Sequence, residues 1–217
     1  MVRPVSFGYK MAWLAVRSDS PEDVAAGLGV EARVSSSWDR GVETVYSADS
    51  MTERPVFVTP SLDGWVLAVS PVYFEEASDA DPERLSRFVS TAAELLGAEV
   101  QLFVTHRVVE GHAWARADES GLKRAYYYLG EVGECLLDQG PKTSVEDGLG
   151  CFGLDPAEPA DESTVMEVAR AWSIDPTGIE DRYAQLEAGI LGTIPPLSAH
   201  DGAREQSDSG KPWWKFW

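Results

Sequence analysis

Residues 100–137 form a β-rich block, and the clearest amphipathic helix of the chain lies directly before it. Leu85, Phe88, Val89, Ala92, Leu95 and Leu96 recur at the i, i+3, i+4, i+7 spacing of one helical face, after Asp81-Pro82 and before Gly97. A helix with one apolar stripe and a run of short strands each need a surface to bury against. The pattern predicts an α+β domain, a mainly antiparallel sheet packed by a few helices.

Other segments extend the pattern. A strand is expected over Met11 to Arg17, and Ser20-Pro21-Glu22-Asp23 reads as a helix start, with Ser as cap and acids in the first turn. Val56 to Thr59 and Trp65 to Ser70 form a hairpin around the turn-forming Pro60 to Gly64, and Gly41 to Tyr46 reads as a strand. Ser144 to Asp147 reads as a short helical turn. Thr164 to Glu167 has the form of a capping box, and a last helix is expected from Ile179 to about Ile190. From Pro195 the composition turns to Pro, Ser, Gly and acids, with little to bury. The expected organisation is one domain over 1–194, a flexible linker over 195–212 and an aromatic plug over 213–217.

Charge restricts function more than any motif does. Lys and Arg total 18 against 36 Asp and Glu, a net charge of −18. Such a field repels nucleic-acid phosphates and the anionic surface of a membrane, and it attracts basic proteins. The two cysteines, Cys135 and Cys151, form neither a Cys-x-x-Cys pair nor a disulfide framework. With no secretion signal, two buried thiols in a reducing, cytoplasmic compartment are expected.

Candidate chemistry concentrates on the hairpin Gly111 to Ala117 and Leu122 to Leu129, read with a four-residue loop over Asp118 to Gly121. With Ala117 paired to Leu122, His112 falls opposite Tyr127 and Trp114 opposite Ala125. His112, Trp114 and Tyr127 then line an open binding face, while Tyr126 and Tyr128 lie with the alanines. His106, Glu110 and His112 share parity in an uninterrupted strand. Six residues of strand rise place the two histidines roughly 20 Å apart, too far for a shared metal. No metal site, cofactor or catalytic residue is assigned. Gly-x-Ser-x-Gly is absent, and Ser209-Gly210-Lys211 lacks the earlier glycine of a phosphate loop, Glu205 standing there.

The most specific signal is the end of the chain, where Trp213, Trp214, Phe216 and Trp217 surround Lys215. A cluster of that kind suits docking into a protein groove, contact with a membrane interface, or folding back on the acidic domain.

Val58-Thr59-Pro60, Leu62-Asp63-Gly64-Trp65, the run Thr105 to Glu110, His112-Ala113-Trp114-Ala115 and Tyr128-Leu129-Gly130-Glu131 carry a resemblance. Over roughly Met11 to Trp172 the chain resembles an uncharacterised family of bacterial cytosolic proteins. The resemblance implies a bacterial intracellular protein and transfers no functional residue. In size, acidity and α+β pattern the chain is also similar to acidic immunity proteins that neutralise bacterial toxins. The expectation is a non-enzymatic protein-binding domain acting on a basic partner. The alternatives are an adaptor that docks through residues 213–217, and an enzyme using the face of His112, Trp114 and Tyr127.

Overall fold

The computed structural model describes residues 3–48, 52–152 and 159–195. The linker from 196 onward and the plug at 213–217 lie outside the described residues. In chain order the elements are β1 (Ala12–Arg17), α1 (Pro21–Gly27), β2 (Glu31–Ser36), α2 (Trp38–Ser47), β3 (Pro55–Val58) and β4 (Trp65–Val69). A 3-10 turn at Pro71–Glu76 leads to α3 (Arg84–Leu96), β5 (Val100–His106), β6 (Gly111–Asp118), β7 (Gly121–Leu129) and β8 (Glu134–Gln139). Then come α4 (Ser144–Leu149), α5 (Glu162–Trp172), α6 (Ile179–Arg182) and β9 (Gly189–Thr193).

The nine strands of the described residues make one sheet in the order β2-β9-β3-β4-β1-β5-β6-β7-β8. Every pairing is antiparallel. This is the α+β, mainly antiparallel architecture that the pattern predicts. Helices cover both faces of the sheet. On one face Val24 and Ala25 of α1 and Leu85 and Val89 of α3 pack on Leu14, Val16, Leu102, Ala113 and Tyr127. On the other, Trp38 and Val42 of α2 and Val165 and Val168 of α5 pack on Trp13, Phe57, Phe103, Trp114 and Tyr126. A sheet buried on both sides has no wet face, so its central strands read as continuous apolar runs. β3 and β4 are buried at every position.

Local signals explain several boundaries. Ser20 caps α1, its Oγ accepting from the Asp23 N–H at 3.2 Å. Gly97, with φ of 57°, closes α3. The capping box of α5 is Asp161 with Thr164, three residues before the predicted one. Two segments correct the sequence reading. Gly41 to Tyr46 is helical, not a strand, because Trp38, Val42 and Val45 are buried at the spacing of one helix face. The helix expected to reach Ile190 stops at Arg182, and Gly189–Thr193 is a strand inserted between β2 and β3. At Gly189 a Cβ would stand 2.5 Å from the Val58 carbonyl oxygen, so only glycine lets β9 approach β3 there.

The hairpin between β6 and β7 carries the correction with the widest consequence. Ala117 does pair with Leu122, but the register shifts next to it and Arg116 pairs with Arg124, so Lys123 is one residue too many. Such a bulge moves every later side chain to the other face. The loop also tightens, since Asp118 pairs with Gly121. His112 therefore stands opposite Tyr128, Trp114 opposite Tyr126, and Ala113 opposite Tyr127.

Candidate functional site

The predicted face of His112, Trp114 and Tyr127 does not exist. Tyr127 belongs to the core beneath α3, on the opposite side of the sheet from Trp114. Nor is the face open, for Trp114 is fully buried. Its ring stacks on Tyr126 at 4.5 Å, and its Nε1 donates to Glu146 Oε1 at 2.8 Å. Glu146 also accepts from Arg124 Nε at 2.7 Å, and both charged side chains are fully enclosed. Arg124 reaches Asp138 Oδ1 at 2.5 Å, and Glu146 Oε2 accepts from the Thr143 N–H and hydroxyl at 2.7 Å. Burial pushes the Glu146 carboxyl up, but the hydrogen bonds from Trp114, Thr143 and Arg124 outweigh burial and hold it below its ordinary value. This cluster locks α4 to β6 and β7. Trp114 has a structural role within it.

His112 alone of the three reaches a cleft. The cleft has a volume of about 290 Å³ and lies at one end of the sheet. The turn between β5 and β6 supplies Arg107 and Glu110, β6 supplies His112, and β7 supplies Tyr128. The lead into α5 supplies Pro159 to Glu162. The turns of the two neighbouring hairpins are tied together: Gly130 N–H donates to the Glu110 carbonyl at 2.9 Å and Glu131 N–H to the Val109 carbonyl at 3.1 Å. A Cβ on Gly130 would stand 2.6 Å from that of Glu110, so the glycine permits the approach. Glu110 itself has a φ of 50°, which is uncommon for a side chain of its kind.

Charge in the cleft is unequal. Arg107 pairs with Glu162, Nε to Oε2 at 3.1 Å, and Glu162 Oε1 also accepts from the Lys10 N–H at 3.2 Å. Asp161 is occupied in capping α5, accepting from the Thr164 N–H at 2.8 Å. Burial would raise its carboxyl, but the bonds from Ser163 and Thr164 prevail and keep it low. The Glu110 carboxylate has neither ion pair nor hydrogen bond among the described residues. His112 is only 4% exposed, and its buried Nδ1 has no partner among the described residues. An unpaired buried polar group costs about 1–3 kcal/mol, so its persistence calls for a physical reason.

Burial lowers the pKa of His112, while Glu162, Asp161 and Glu110 pull it back up. The net direction is down, so burial favours the neutral ring. With the folded pKa below the unfolded one, the unfolded chain binds more protons in the window between them. The contribution is present above the ordinary value of 6.5 and is lost as pH falls below it. Urea titrations of the wild type and of His112→Gln are expected to show a steeper loss of stability in the wild type as pH falls from about 7.5 to about 5.5. Equal slopes would remove His112 from that account.

His106 does not join the cleft. It lies on β5, facing the other side of the sheet, with its ring 4.8 Å from Phe74. The shared parity of His106, Glu110 and His112 fails because a turn separates the two histidines. Among the described residues no three His, Cys, Asp or Glu side chains converge on a metal-sized point. Cys151 is buried as expected, whereas Cys135 is exposed on the edge strand β8, correcting the expectation of two buried thiols. No described helix is long and apolar enough to cross a membrane.

Sequence reasoning named His112 and Glu110 but missed Arg107, Tyr128, Asp161 and Glu162 as their neighbours. The capping pattern of Asp161 and Thr164 was the available signal for where α5 starts. Nothing local ties that start to the hairpin. Comparison of the chain with protein-family models, with curated proteins and with solved structures returned no match.

Proposed function

We propose that the protein is a non-enzymatic binding protein that acts inside the cell on a basic protein partner, in the manner of an immunity protein neutralising a toxin. The net charge of −18 carries this reading. A field of that sign accelerates encounter with a basic surface and disfavours acidic competitors. The cleft supports it, since three carboxylates, Glu110, Asp161 and Glu162, line it together with one cation, Arg107. Trp114 and Tyr127, buried in the two cores, are unavailable to an enzyme on the predicted face.

The test is affinity capture from the native host with the intact chain and with a chain lacking residues 211–217, followed by binding measurements on the captured protein across a salt series. The expected partner is one basic protein held at fixed stoichiometry by both forms, with affinity falling steeply as salt rises. Affinity independent of salt would remove the electrostatic basis. A partner lost with residues 211–217 would favour instead an adaptor that docks through Trp213 to Trp217, a reading motivated by the four aromatics among the last five residues.

A further inference from the structure

We propose that one end of the sheet, where Tyr9, Tyr46, Val108 and Val132 are exposed, is the docking surface for residues 211–217 of the same chain. The inference goes beyond the binding function proposed above and does not depend on it. The first observation is where the exposed apolar side chains lie. Single ones scattered over a surface are ordinary, whereas a group of them marks an interface. Seven large hydrophobic side chains are exposed among the described residues, and four of the seven stand at this one end, Tyr9 at 49%, Tyr46 at 42%, Val108 at 72% and Val132 at 56%.

Hydrogen bonds join the four into one band. The Tyr46 hydroxyl donates to the Tyr9 carbonyl at 2.9 Å. Beside Tyr9, the Lys10 N–H donates to Glu162, which also holds Arg107, the neighbour of Val108. The turns that carry Val108 and Val132 are bonded to each other through Glu131 N–H and the Val109 carbonyl at 3.1 Å.

The second observation is where residues 196 onward leave the sheet. Thr193 of β9 pairs with Pro55, Phe57 with Val69, Val69 with Trp13, Ala12 with Val104, and His106 with Gly111. This register puts Thr193 at the same end as the segment before β1 and the β5–β6 turn. Ile194 is fixed there, its N–H donating to the Arg54 carbonyl at 2.9 Å. Strands stand about 4.8 Å apart, so the four intervals from β9 to β5 cover roughly 19 Å. Residues 196–212 have a linker composition, and a coil of that length has a mean reach of roughly 23 Å. Tethering at such a distance gives an effective concentration in the millimolar range, enough for a site of modest intrinsic affinity.

The third observation is complementary chemistry. Residues 211–217 contain Trp213, Trp214, Phe216 and Trp217 with Lys211 and Lys215 and no acid, in a chain whose net charge is −18. Glu110 and Glu131, both exposed, flank Val108 and Val132 and make no ion pair among the described residues. Apolar side chains beside unpaired carboxylates match aromatic side chains beside lysines, the rings covering the valines and the ammonium groups meeting the acids.

The test uses fluorine NMR of the full chain carrying 5-fluorotryptophan, with the signals of Trp213, Trp214 and Trp217 assigned by single Trp→Phe substitutions. A synthetic peptide of residues 211–217 gives the undocked positions, and the five tryptophans of the sheet and helices report that the fold is intact. The three signals are expected away from the peptide positions, unchanged on dilution, and moved towards them by salt. Val108→Ser with Val132→Ser should weaken docking at least about tenfold and shift the three signals to the peptide positions, as removal of two apolar contacts implies. Val34→Ser with Leu95→Ser, at exposed sites away from this end, should leave them in place. Glu110→Gln with Glu131→Gln should move them part of the way. Signals at the peptide positions in the unsubstituted chain would overturn the proposal. So would displaced signals that ignore the loss of Val108 and Val132, or a displacement that vanishes on dilution, which would assign the segment to a second copy. Signals that leave the peptide positions only when phosphatidylcholine vesicles are added would assign it to a membrane and overturn the proposal as well.

Discussion

Glu146→Ala should lower the free energy of unfolding by about 3–5 kcal/mol, as breaking a buried ion pair on one side does. The residue removed is the hub of the cluster under α4. Arg124 and Glu146 are both fully enclosed, and Glu146 also receives Trp114 Nε1 and both donors of Thr143. Its loss strands a guanidinium in the core with Asp138 as the remaining carboxylate, and it orphans an indole N–H. Urea unfolding measures the effect. A change under about 1 kcal/mol would mean that water reaches the site and the pair is not desolvated. The double variant Arg124→Met with Glu146→Leu should recover much of the loss, because two apolar groups of similar size leave no uncompensated charge. Acid should act in the same direction. The folded pKa of Glu146 is held below its ordinary value, so its contribution is present above about pH 4.5 and is lost as pH falls through the folded value. In Glu146→Ala the part of the acid-induced loss that belongs to this residue should disappear.

A chain ending at Ala188 should show no cooperative unfolding transition, while a chain ending at Pro195 should keep one. The difference between them is β9. It lies between β2 and β3, pairing Ile190 with Ser35 on one side and with Val58 on the other. Without it, β2 has no neighbour in the sheet, and β3 becomes an apolar edge with every residue previously buried. Ile190 and Leu191 also pack on opposite cores, so both layers lose contacts together. Near-ultraviolet circular dichroism and urea titration read the outcome. An unchanged midpoint in the shorter chain would show that β9 is dispensable. Gly189→Val tests the same seam with a single residue. Its Cβ would meet the Val58 carbonyl and the Phe57 ring at 2.5 Å, and overpacking of this kind costs about 1–3 kcal/mol.

The strongest local signals were legible. The apolar stripe of α3, except Leu95, which is 59% exposed, the cap at Ser20, the hairpin of β3 and β4, and the β-rich block stand where the spacing places them. Each depends on residues close in sequence, where helix and strand periods and capping chemistry act directly. β9 was not legible, because Gly189 to Thr193 has little strand character of its own and is a strand through its two neighbours. The binding face was misread through one residue. Lys123 looks like any other strand residue, yet as a bulge it reverses the parity of everything after it.

The sequence by itself determined the class of fold, the acidic field and the presence of histidine and glutamate on one hairpin. These follow from composition and from short-range periodicity. Only the tertiary structure decided that both faces of the sheet are covered, that Trp114 serves a buried ion pair, and that His112 meets Glu110, Tyr128 and the start of α5 in one cleft. The physical reason is that burial and hydrogen-bond satisfaction are properties of packed neighbours. Glu162 lies 55 residues beyond its partner Arg107, and no local pattern in the chain records that they meet.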